Sequence, residues 1–454
     1  MKTRRLFVIL TAANTLFMYL TRNSLYIAII SMVEIKDQLQ KEDTFNTECG
    51  ATVNISTEND VTISNPPFNW SLFEVDMILG SYFYAYAGLQ IPAGLISVFV
   101  SPLLLLNICN IVHALCAIMI PFASSYGPIS VFLTRFLMGA AGSFIFPTTS
   151  ALVRKLSLKN EVTVSVSLVV ACFGIGSLVT PVITGYLCSR ADLGGWESSF
   201  YVCGSIQLVY AIFYIAISNS SQFQEIVHRM DPHQHDASPK TQSLKLFLDW
   251  KVYAYSYSGL AIMCINNFIL LKLPQYYSSI LKFPIFQNGL INSLPMIVFT
   301  VTPLLSSLVV SEIANTKIIS PRLLYSIVYS LFMLMVFFLQ TVLTNFIDCN
   351  GFFAIMIFCL SFFCSLTANT VIFTIIVNHS KFVVLSVGLA GSIGNSSGYI
   401  VAIYSNYFLK SDIYQMENWQ NLFYMNGLIA GSGVITLNLM LWLGEAQSYL
   451  LIDD

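Results

Sequence analysis

Long apolar segments dominate this sequence and decide what the chain can fold into. Twelve runs have about the 20 apolar residues that a helix needs to cross the hydrocarbon core of a bilayer. Only 10% of the 454 residues are charged, against about 25% in soluble domains. The ten-residue alternation of an outer-membrane barrel does not occur. The sequence therefore predicts an all-α integral membrane protein with twelve transmembrane helices in two six-helix halves.

A polar stretch at 218–250 divides the apolar runs into two equal groups. It is the longest polar stretch after the 34–76 loop, so we expect it to link an N-terminal half (1–217) to a C-terminal half (251–443), with a tail at 444–454. Transporters built from two repeats share this layout. The predicted spans are approximately 6–33, 77–100, 102–122, 129–153, 163–188, 199–217, 252–273, 287–311, 321–344, 351–377, 382–408 and 419–443.

The distribution of Lys and Arg among the short loops predicts the orientation. Most of these residues collect on one side, so we expect both termini, the linker and the tail to be cytoplasmic. The 34–76 loop is then extracytoplasmic, and its sequons make Asn54 and Asn69 candidate N-glycosylation sites. Cys49 and Cys349 fall in loops on the same side, where they could form a disulfide or remain separate thiols.

Two arginines lie deep within predicted spans, where a charge is expensive. Arg22 is in the first span and Arg135 in the fourth, while Lys272 lies near the end of the seventh. A charge at membrane depth costs roughly 2.5–3.5 kcal/mol, and the guanidinium fork matches carboxylate or phosphate groups. We therefore predict an anion site, the alternative being that each arginine bonds helix carbonyls or snorkels. Three acidic residues are interpreted as lying at helix ends and not deep in a span: Glu74, Asp76 and Glu312.

Polar residues elsewhere in the spans extend this predicted site. Tyr82 and Tyr86 are four residues apart and share a helix face. Asn267 and Asn395 interrupt apolar runs, so each amide could line a wet cavity and contact substrate or bond a neighbouring helix. His113 is the deep group that titrates near neutral pH. It is a candidate for proton coupling, or else a packed histidine.

Glycine and proline residues mark positions where helices could pack closely or bend. Gly142 follows Arg135 by two turns, and the fifth span carries Gly176, Pro181 and Gly185. Glycine allows close helix approach, and proline bends a membrane helix. We interpret these four positions as hinge or packing sites. The spacing of Cys and His predicts no metal site, and a net charge of −2 does not suggest a nucleic-acid partner.

Motifs in register along nearly the whole chain carry a family resemblance. They are YLTRNSLYIAII around Arg22, FNWS at 68–71, MILGSYFYAYAGLQIPAG at 77–94, RFLMG…FP at 135–147, GxxxxPxxxGY at 176–186, GGWESSFYVCG at 194–204, LPQYY at 273–277, QNGLINSLP at 287–295, NWQNLFY at 418–424 and GEAQSY at 444–449. Together they resemble the anion:cation symporter branch of the major facilitator superfamily, which includes sialin, the vesicular glutamate transporters and the type I sodium–phosphate cotransporters.

The resemblance implies roles for individual residues. Arg22 and Arg135 match the membrane-embedded arginines that contact the anion, and Asn267 falls where sialin-like members have a substrate-facing tyrosine. The chain also departs from the family, so we expect a diverged member. Gly142 stands in place of the fourth-span glutamate that takes part in proton coupling, and Leu79 replaces a histidine of the glutamate transporters. The normally charged loop between spans two and three reads SVFVSPLLLL.

The function expected from these features is transport, secondary active or facilitative, of a small organic or inorganic anion by alternating access. No cofactor is expected, and the coupling ion could be sodium, chloride or a proton. The alternative is a diverged, non-transporting relative that acts as a membrane sensor or scaffold. An enzyme is not expected, because the spans contain no nucleophile–base pair. The lipid bilayer is the expected surrounding, in the plasma membrane or a lysosomal or vesicular membrane, with the oligomeric state left open.

Overall fold

The computed structural model describes residues 2–35, 67–157, 161–229, 250–315, 320–346, 350–379 and 383–450. Helices account for almost all of these residues. Their bounds are α1 Lys2–Met32, α2 Leu72–Phe99, α3 Pro102–Ser124, α4 Pro128–Leu156, α5 Val162–Cys188, α6 Gly195–Ser218, α7 Ser221–Arg229, α8 Trp250–Ser279, α9 Ile285–Asn315, α10 Pro321–Thr341, α11 Gly351–His379, α12 Val383–Asn395, α13 Ser397–Leu409 and α14 Met416–Leu450.

Within the described residues, each predicted apolar run falls largely on helices, which confirms the helical fold class. Nine helices of the described part are long and apolar enough to cross a membrane. The count of twelve spans, their grouping into halves and the side of the termini remain predictions. The eleventh run contains two helices, α12 and α13, that meet at Ser396. The amide of Ser396 donates to the carbonyls of both Ser392 and Ile393, so the helix has a tighter turn at this residue and continues as α13.

Two features of the loops were not predicted from the sequence. Strands β1 (Val33–Ile35) and β2 (Phe68–Trp70) pair in parallel at the borders of the predicted 34–76 loop. Helix α7 occupies the start of the predicted linker, and its Phe223 is fully buried with its ring 5.1 Å from that of Phe7. This part of the predicted linker is therefore packed against α1.

The two candidate glycosylation sites differ in what the structure says of them. Asn69 is exposed on β2, directly before the start of α2. The third residue of its sequon, Ser71, caps α2 by accepting a hydrogen bond from the amide of Glu74 and donating its hydroxyl to the Glu74 carboxylate. The sequon hydroxyl is thus already engaged. Asn54, Cys49 and Cys349 lie outside the described residues.

Glycines of α5 lie at close helix crossings. A Cβ added at Gly176 would lie 2.4 Å from the carbonyl oxygen of Leu16 in α1. Gly185 meets Gly289 of α9, and a Cβ at Gly289 would lie 2.4 Å from the carbonyl oxygen of Pro181. Because α5 and α9 belong to different predicted halves, this glycine pair brings the halves into contact. The packing interpretation accounts for Gly176 and Gly185 at these positions.

Two arginines at the start of α1 form ion pairs with Glu161, the residue directly before α5. Arg4 and Arg5 each place a guanidinium nitrogen 2.7 Å from a carboxylate oxygen of Glu161. Hydrogen bonding to Arg5 is the main reason that the pKa of Glu161 lies below its usual value. Because the pKa of Glu161 is lower in the folded than in the unfolded protein, the ionised carboxylate stabilises the fold. This stability is fully present above the unfolded-state pKa and is lost as the pH falls through the folded-state pKa.

We expect Glu161→Gln to lower the melting temperature near neutral pH, where the carboxylate is charged. The difference from the wild type should shrink as the pH falls below about 4, the ordinary range of a glutamate. Thermal unfolding of purified protein across pH 3–8 measures this. The same substitution made in an Arg4→Gln, Arg5→Gln background should have little effect, and an equal effect there would contradict the assignment.

Candidate functional site

Aromatic rings enclose the guanidinium group of Arg22, which is only 4% exposed. Its central carbon lies 4.7 Å from the ring centroids of Tyr82 and Phe83, 5.0 Å from that of Tyr19 and 5.3 Å from that of Tyr86. One guanidinium nitrogen also donates to the Tyr19 hydroxyl at 3.0 Å. Cation–π contacts of this kind stabilise a positive charge away from water. The four rings therefore form a cage that keeps Arg22 charged within the membrane.

Arg135 lies beside this cage and is completely buried. Its Nη1 donates to the backbone carbonyl of Arg22 at 3.0 Å, so the two arginines are in direct contact. Its guanidinium carbon is 5.2 Å from the Tyr82 ring centroid and 5.9 Å from that of Tyr26. The ring of Tyr82 therefore contacts both cationic groups, one from α1 and one from α4.

The second edge of the Arg135 guanidinium group is unused. Its Nε and Nη2 have no hydrogen-bond partner among the described residues, and the same holds for Nε of Arg22. Among the residues that the structure describes, no carboxylate forms an ion pair with Arg22 or Arg135. A buried donor without a partner costs about 1–3 kcal/mol. The alternative that each arginine bonds helix carbonyls therefore accounts for only one nitrogen of Arg135. The remaining donors form an electropositive site that lacks an acceptor among the described residues.

Tyr82 fills the space beside Gly142. A Cβ at Gly142 would lie 2.0 Å from the Tyr82 hydroxyl oxygen, and a Cβ at Gly139 would lie 2.1 Å from the Tyr82 carbonyl oxygen. Because any side chain at either position would collide with Tyr82, both glycines are needed for α2 and α4 to approach this closely. A phenol from α2 therefore occupies the place into which a side chain at position 142 would project.

A small cavity lies between the two predicted halves next to Tyr26. It has a volume of about 20 Å³ and is lined by residues of α1, α5, α8 and α9, among them Ser177 and Pro181. That volume is enough for about one water molecule. Arg22 and Arg135 are themselves buried, so both guanidinium groups are shielded from solvent in this conformation.

Comparison with known proteins decides the family of this chain. The family profile described as Major Facilitator Superfamily matches residues 11–403. The chain belongs to the major facilitator superfamily. It is accordingly an integral, multi-pass membrane protein of a transporter family and not an enzyme.

Solved superfamily structures confirm the fold along nearly the whole chain. A bacterial homologue of the human lysosomal transporter Spinster, in an inward-facing and unoccupied conformation, superposes with a TM-score of 0.69 and 10% identity, covering 96% of each chain. The nucleoside transporter NupG gives a TM-score of 0.64 at 11% identity, covering 96% of this chain and 99% of its own. At such identities the likeness concerns the fold alone.

Sequence comparison finds relatives that are named as phosphate cotransporters, sialin and vesicular glutamate transporters. A Drosophila ananassae protein, named provisionally as an inorganic phosphate cotransporter, is 26% identical over 67% of this chain and 64% of its own length. Human sialin is 24% identical over 61% of this chain and 57% of its own length. Xenopus laevis vesicular glutamate transporter 1 is 25% identical over 54% of this chain and 44% of its own length. The matched region thus spans less than two thirds of each relative. The predicted anion:cation symporter relationship is confirmed.

His113 lies beside the cage in this superfamily member. It is fully buried, with Nδ1 3.2 Å from the Thr21 hydroxyl and 3.1 Å from the Gln207 side-chain oxygen. Its ring meets the Tyr82 ring edge-on at 6.1 Å. Its Nε2 has no partner among the described residues. His113 is therefore an ionisable group next to the arginine site. Its role in proton coupling stays a prediction.

The two asparagines of the predicted site bond neighbouring helices. Asn267 donates to the Ser397 hydroxyl at 2.6 Å, which joins α8 to α13. Asn395 donates to the Gln90 side-chain oxygen at 3.1 Å and to the Gly391 carbonyl at 2.8 Å. The geometry matches the helix-bonding alternative for both residues. The structure brings together Arg22, Arg135, Tyr82 and Tyr86, whereas Asn267 and Asn395 make their contacts elsewhere.

Asp76 is the residue whose burial sequence reasoning missed. It is the fifth residue of α2, as expected for a helix end, but it is only 2% exposed and pairs with the buried Lys272 of α8. Lys272 also donates to the side-chain oxygen of Gln275 at 2.9 Å. The position of Asp76 near a helix end was predicted correctly, but its burial was not. The signal was Lys272 itself, since a cation inside an apolar run needs a partner.

Proposed function

We propose that this protein moves a small organic or inorganic anion across the membrane by alternating access, and that Arg22 and Arg135 bind the anion. The observation that carries this proposal is the pair of buried guanidinium groups with unused donors and no described carboxylate partner. An anion would supply the missing acceptor and offset the charge. The names of the relatives, which refer to phosphate and glutamate transport, agree with a small anionic substrate.

The free edge of Arg135 has the geometry that a carboxylate or phosphate requires. Nε and Nη2 lie along one edge of the planar guanidinium group and donate in parallel, which is the bidentate arrangement. The same chain uses this edge on its surface, where Nε and Nη2 of Arg190 bind the two oxygens of Asp192 at 2.8 and 2.7 Å. In Arg135 the Nη1 bond to the Arg22 carbonyl fixes the orientation. The anion then bonds a fork that is already aligned.

Charge decides which driving forces suit such a site. A membrane potential of 100 mV supplies about 2.3 kcal/mol for each elementary charge, which corresponds to roughly fifty-fold accumulation of a monovalent anion. Voltage-driven, sodium-linked or chloride-linked transport needs no titrating group at the arginines. Proton coupling would need one, and His113 is the candidate that lies beside the cage. No cofactor is part of the proposal.

A second candidate function is a non-transporting sensor or scaffold. The observation that favours it is the charge-free sequence SVFVSPLLLL between the second and third spans. In such a protein an anion could bind at the arginines without crossing the membrane. Binding without uptake is therefore the result that separates the two candidates.

The test is uptake into proteoliposomes of phosphate, glutamate, sialate and urate, with proton, sodium and voltage gradients imposed separately. Transport predicts that at least one anion accumulates above empty liposomes and that one gradient increases its rate. Uptake at the level of empty liposomes for every anion and gradient would contradict transport. The gradient that drives uptake identifies the coupling ion.

A further inference from the structure

Asp76 and Lys272 form an ion pair between the two halves of the molecule. Asp76 belongs to α2 and Lys272 to α8, and they are 196 positions apart in the chain. Their side chains are 2% and 1% exposed. The side-chain oxygen of Gln275, one turn after Lys272, accepts a second hydrogen bond from the ammonium group. The pair is therefore a hydrogen-bonded polar contact buried at the junction between the halves.

A wider pocket, called here the vestibule, lies next to this pair. It has a volume of about 270 Å³, and its lining includes Glu34, Val75, Gln275 and Lys282. Val75 precedes Asp76 in α2, and Gln275 bonds Lys272 directly. The vestibule therefore borders the ion pair at the ends of α1 and α8, which the charge pattern predicts to be extracytoplasmic.

The small cavity next to Tyr26 lies at the same level of α8 as the ion pair. Leu270 and Pro274, which flank Lys272 in α8, line this cavity. Tyr26 lines it as well, and the ring of Tyr26 faces the guanidinium group of Arg135. Along α8, the residues that line the small cavity lie on both sides of Lys272, and those that line the vestibule begin at Gln275. The ion pair therefore joins α2 to α8 at the level of the small cavity and next to the vestibule.

We propose that Asp76 and Lys272, held by Gln275, form the gate that closes the arginine site on the vestibule side. The proposal rests on the alternating-access function proposed above. When paired, the two charges neutralise each other and hold α2 against α8. When the halves separate at this end, water reaches both groups and each becomes hydrated. The open state thus replaces one polar contact by hydration, so the gate can open and close repeatedly.

Removing the pair should shift the protein toward the state that is open at the vestibule. A cysteine placed at Ser177, which is 2% exposed and lines the small cavity, reports this opening. The rate at which a membrane-impermeant maleimide labels Ser177→Cys is measured on the full-length protein in sealed vesicles of each orientation. The same variants without Ser177→Cys give the background from the native cysteines.

We expect Asp76→Asn with Lys272→Met to raise the labelling rate from the vestibule side at least about fivefold. This double variant leaves no lone buried charge, so it remains testable where Asp76→Asn or Lys272→Met alone fails to fold. Arg4→Gln is the matched control, because it breaks an ion pair within the N-terminal half and should leave the rate unchanged. Labelling of the double variant at the wild-type rate overturns the gate.

Anion uptake, measured in parallel, separates the gate from the proposed function. Faster labelling without uptake of any anion, in both the wild type and the variant, supports a gate and contradicts transport. Unchanged labelling with normal wild-type uptake contradicts the gate and leaves transport supported.

Discussion

Replacing Arg135 with alanine is expected to lower anion uptake by about 100-fold or more while the protein still reaches the membrane. The substitution removes two charge-assisted hydrogen bonds, each worth roughly 1.5–3 kcal/mol, and every 1.4 kcal/mol is a factor of ten. Arg135→Lys should also be impaired, because an ammonium group keeps the charge but lacks the planar fork. Initial uptake rates in proteoliposomes, normalised to the amount of folded protein, measure the effect.

Arg190→Ala is the matched control for this experiment. Arg190 uses the same two nitrogens to bind Asp192, but its side chain is 48% exposed. Exposed ion pairs contribute little to stability, so we expect uptake close to that of the wild type. Normal uptake by Arg135→Ala, or an equal loss in Arg190→Ala, would contradict the assignment of Arg135 to the anion.

Gly142→Ala is the second substitution with a large expected effect. The added methyl group would lie 2.0 Å from the hydroxyl oxygen of Tyr82 and 2.9 Å from the ring carbon that carries it. Overpacking of this kind typically costs about 1–3 kcal/mol. Because the Tyr82 ring lies over the Arg22 guanidinium group, its displacement should also disturb the cage. We expect a lower melting temperature together with reduced uptake.

Two further variants test this contact specifically. Tyr82→Phe removes the nearest clashing atom, so the double variant with Gly142→Ala should regain part of the lost stability relative to Gly142→Ala alone. Gly88→Ala adds a methyl group to α2 at a position where nothing lies within 4 Å of the new atom. It should be neutral or slightly stabilising. The absence of coupling between positions 142 and 82 in a double-mutant cycle would argue against this contact as the cause of the destabilisation.

The same contact changes the meaning of Gly142. From the sequence, Gly142 is a position from which an acidic side chain is missing. In the structure the phenol of Tyr82 occupies that space, so a glutamate introduced there would have to displace Tyr82 from both arginines. A pH-dependent Gly142→Glu variant would therefore report a rearranged cage as much as a restored proton carrier.

The sequence predicted the helical class and the centre of the site because both follow from local rules. Apolar runs of sufficient length identify the helices, and the four-residue spacing of Tyr82 and Tyr86 places them on one face. Two deep arginines indicate a site because each charge is costly in a membrane. These inferences need no knowledge of which helices are neighbours.

The features that sequence reasoning missed all depend on which elements meet in three dimensions. Asp76 was discounted because it is near a helix end, and only the packing of α2 against α8 buries it with Lys272. The partners of Asn267 and Asn395 likewise lie on other helices. The parallel pairing of β1 with β2 joins segments separated by more than 30 residues, whose short runs carry no periodic signal.

Equilibrium binding of anions to the purified protein tests whether Arg135 binds the anion, and it requires no transport. We would titrate the detergent-solubilised protein with inorganic phosphate, glutamate and sialate by calorimetry. If Arg135 binds the anion, at least one of these anions binds the wild type and Arg190→Ala equally, and binds Arg135→Ala about 100-fold more weakly. Equal affinity of the wild type and Arg135→Ala for every anion that binds, or no binding to the wild type, would contradict it.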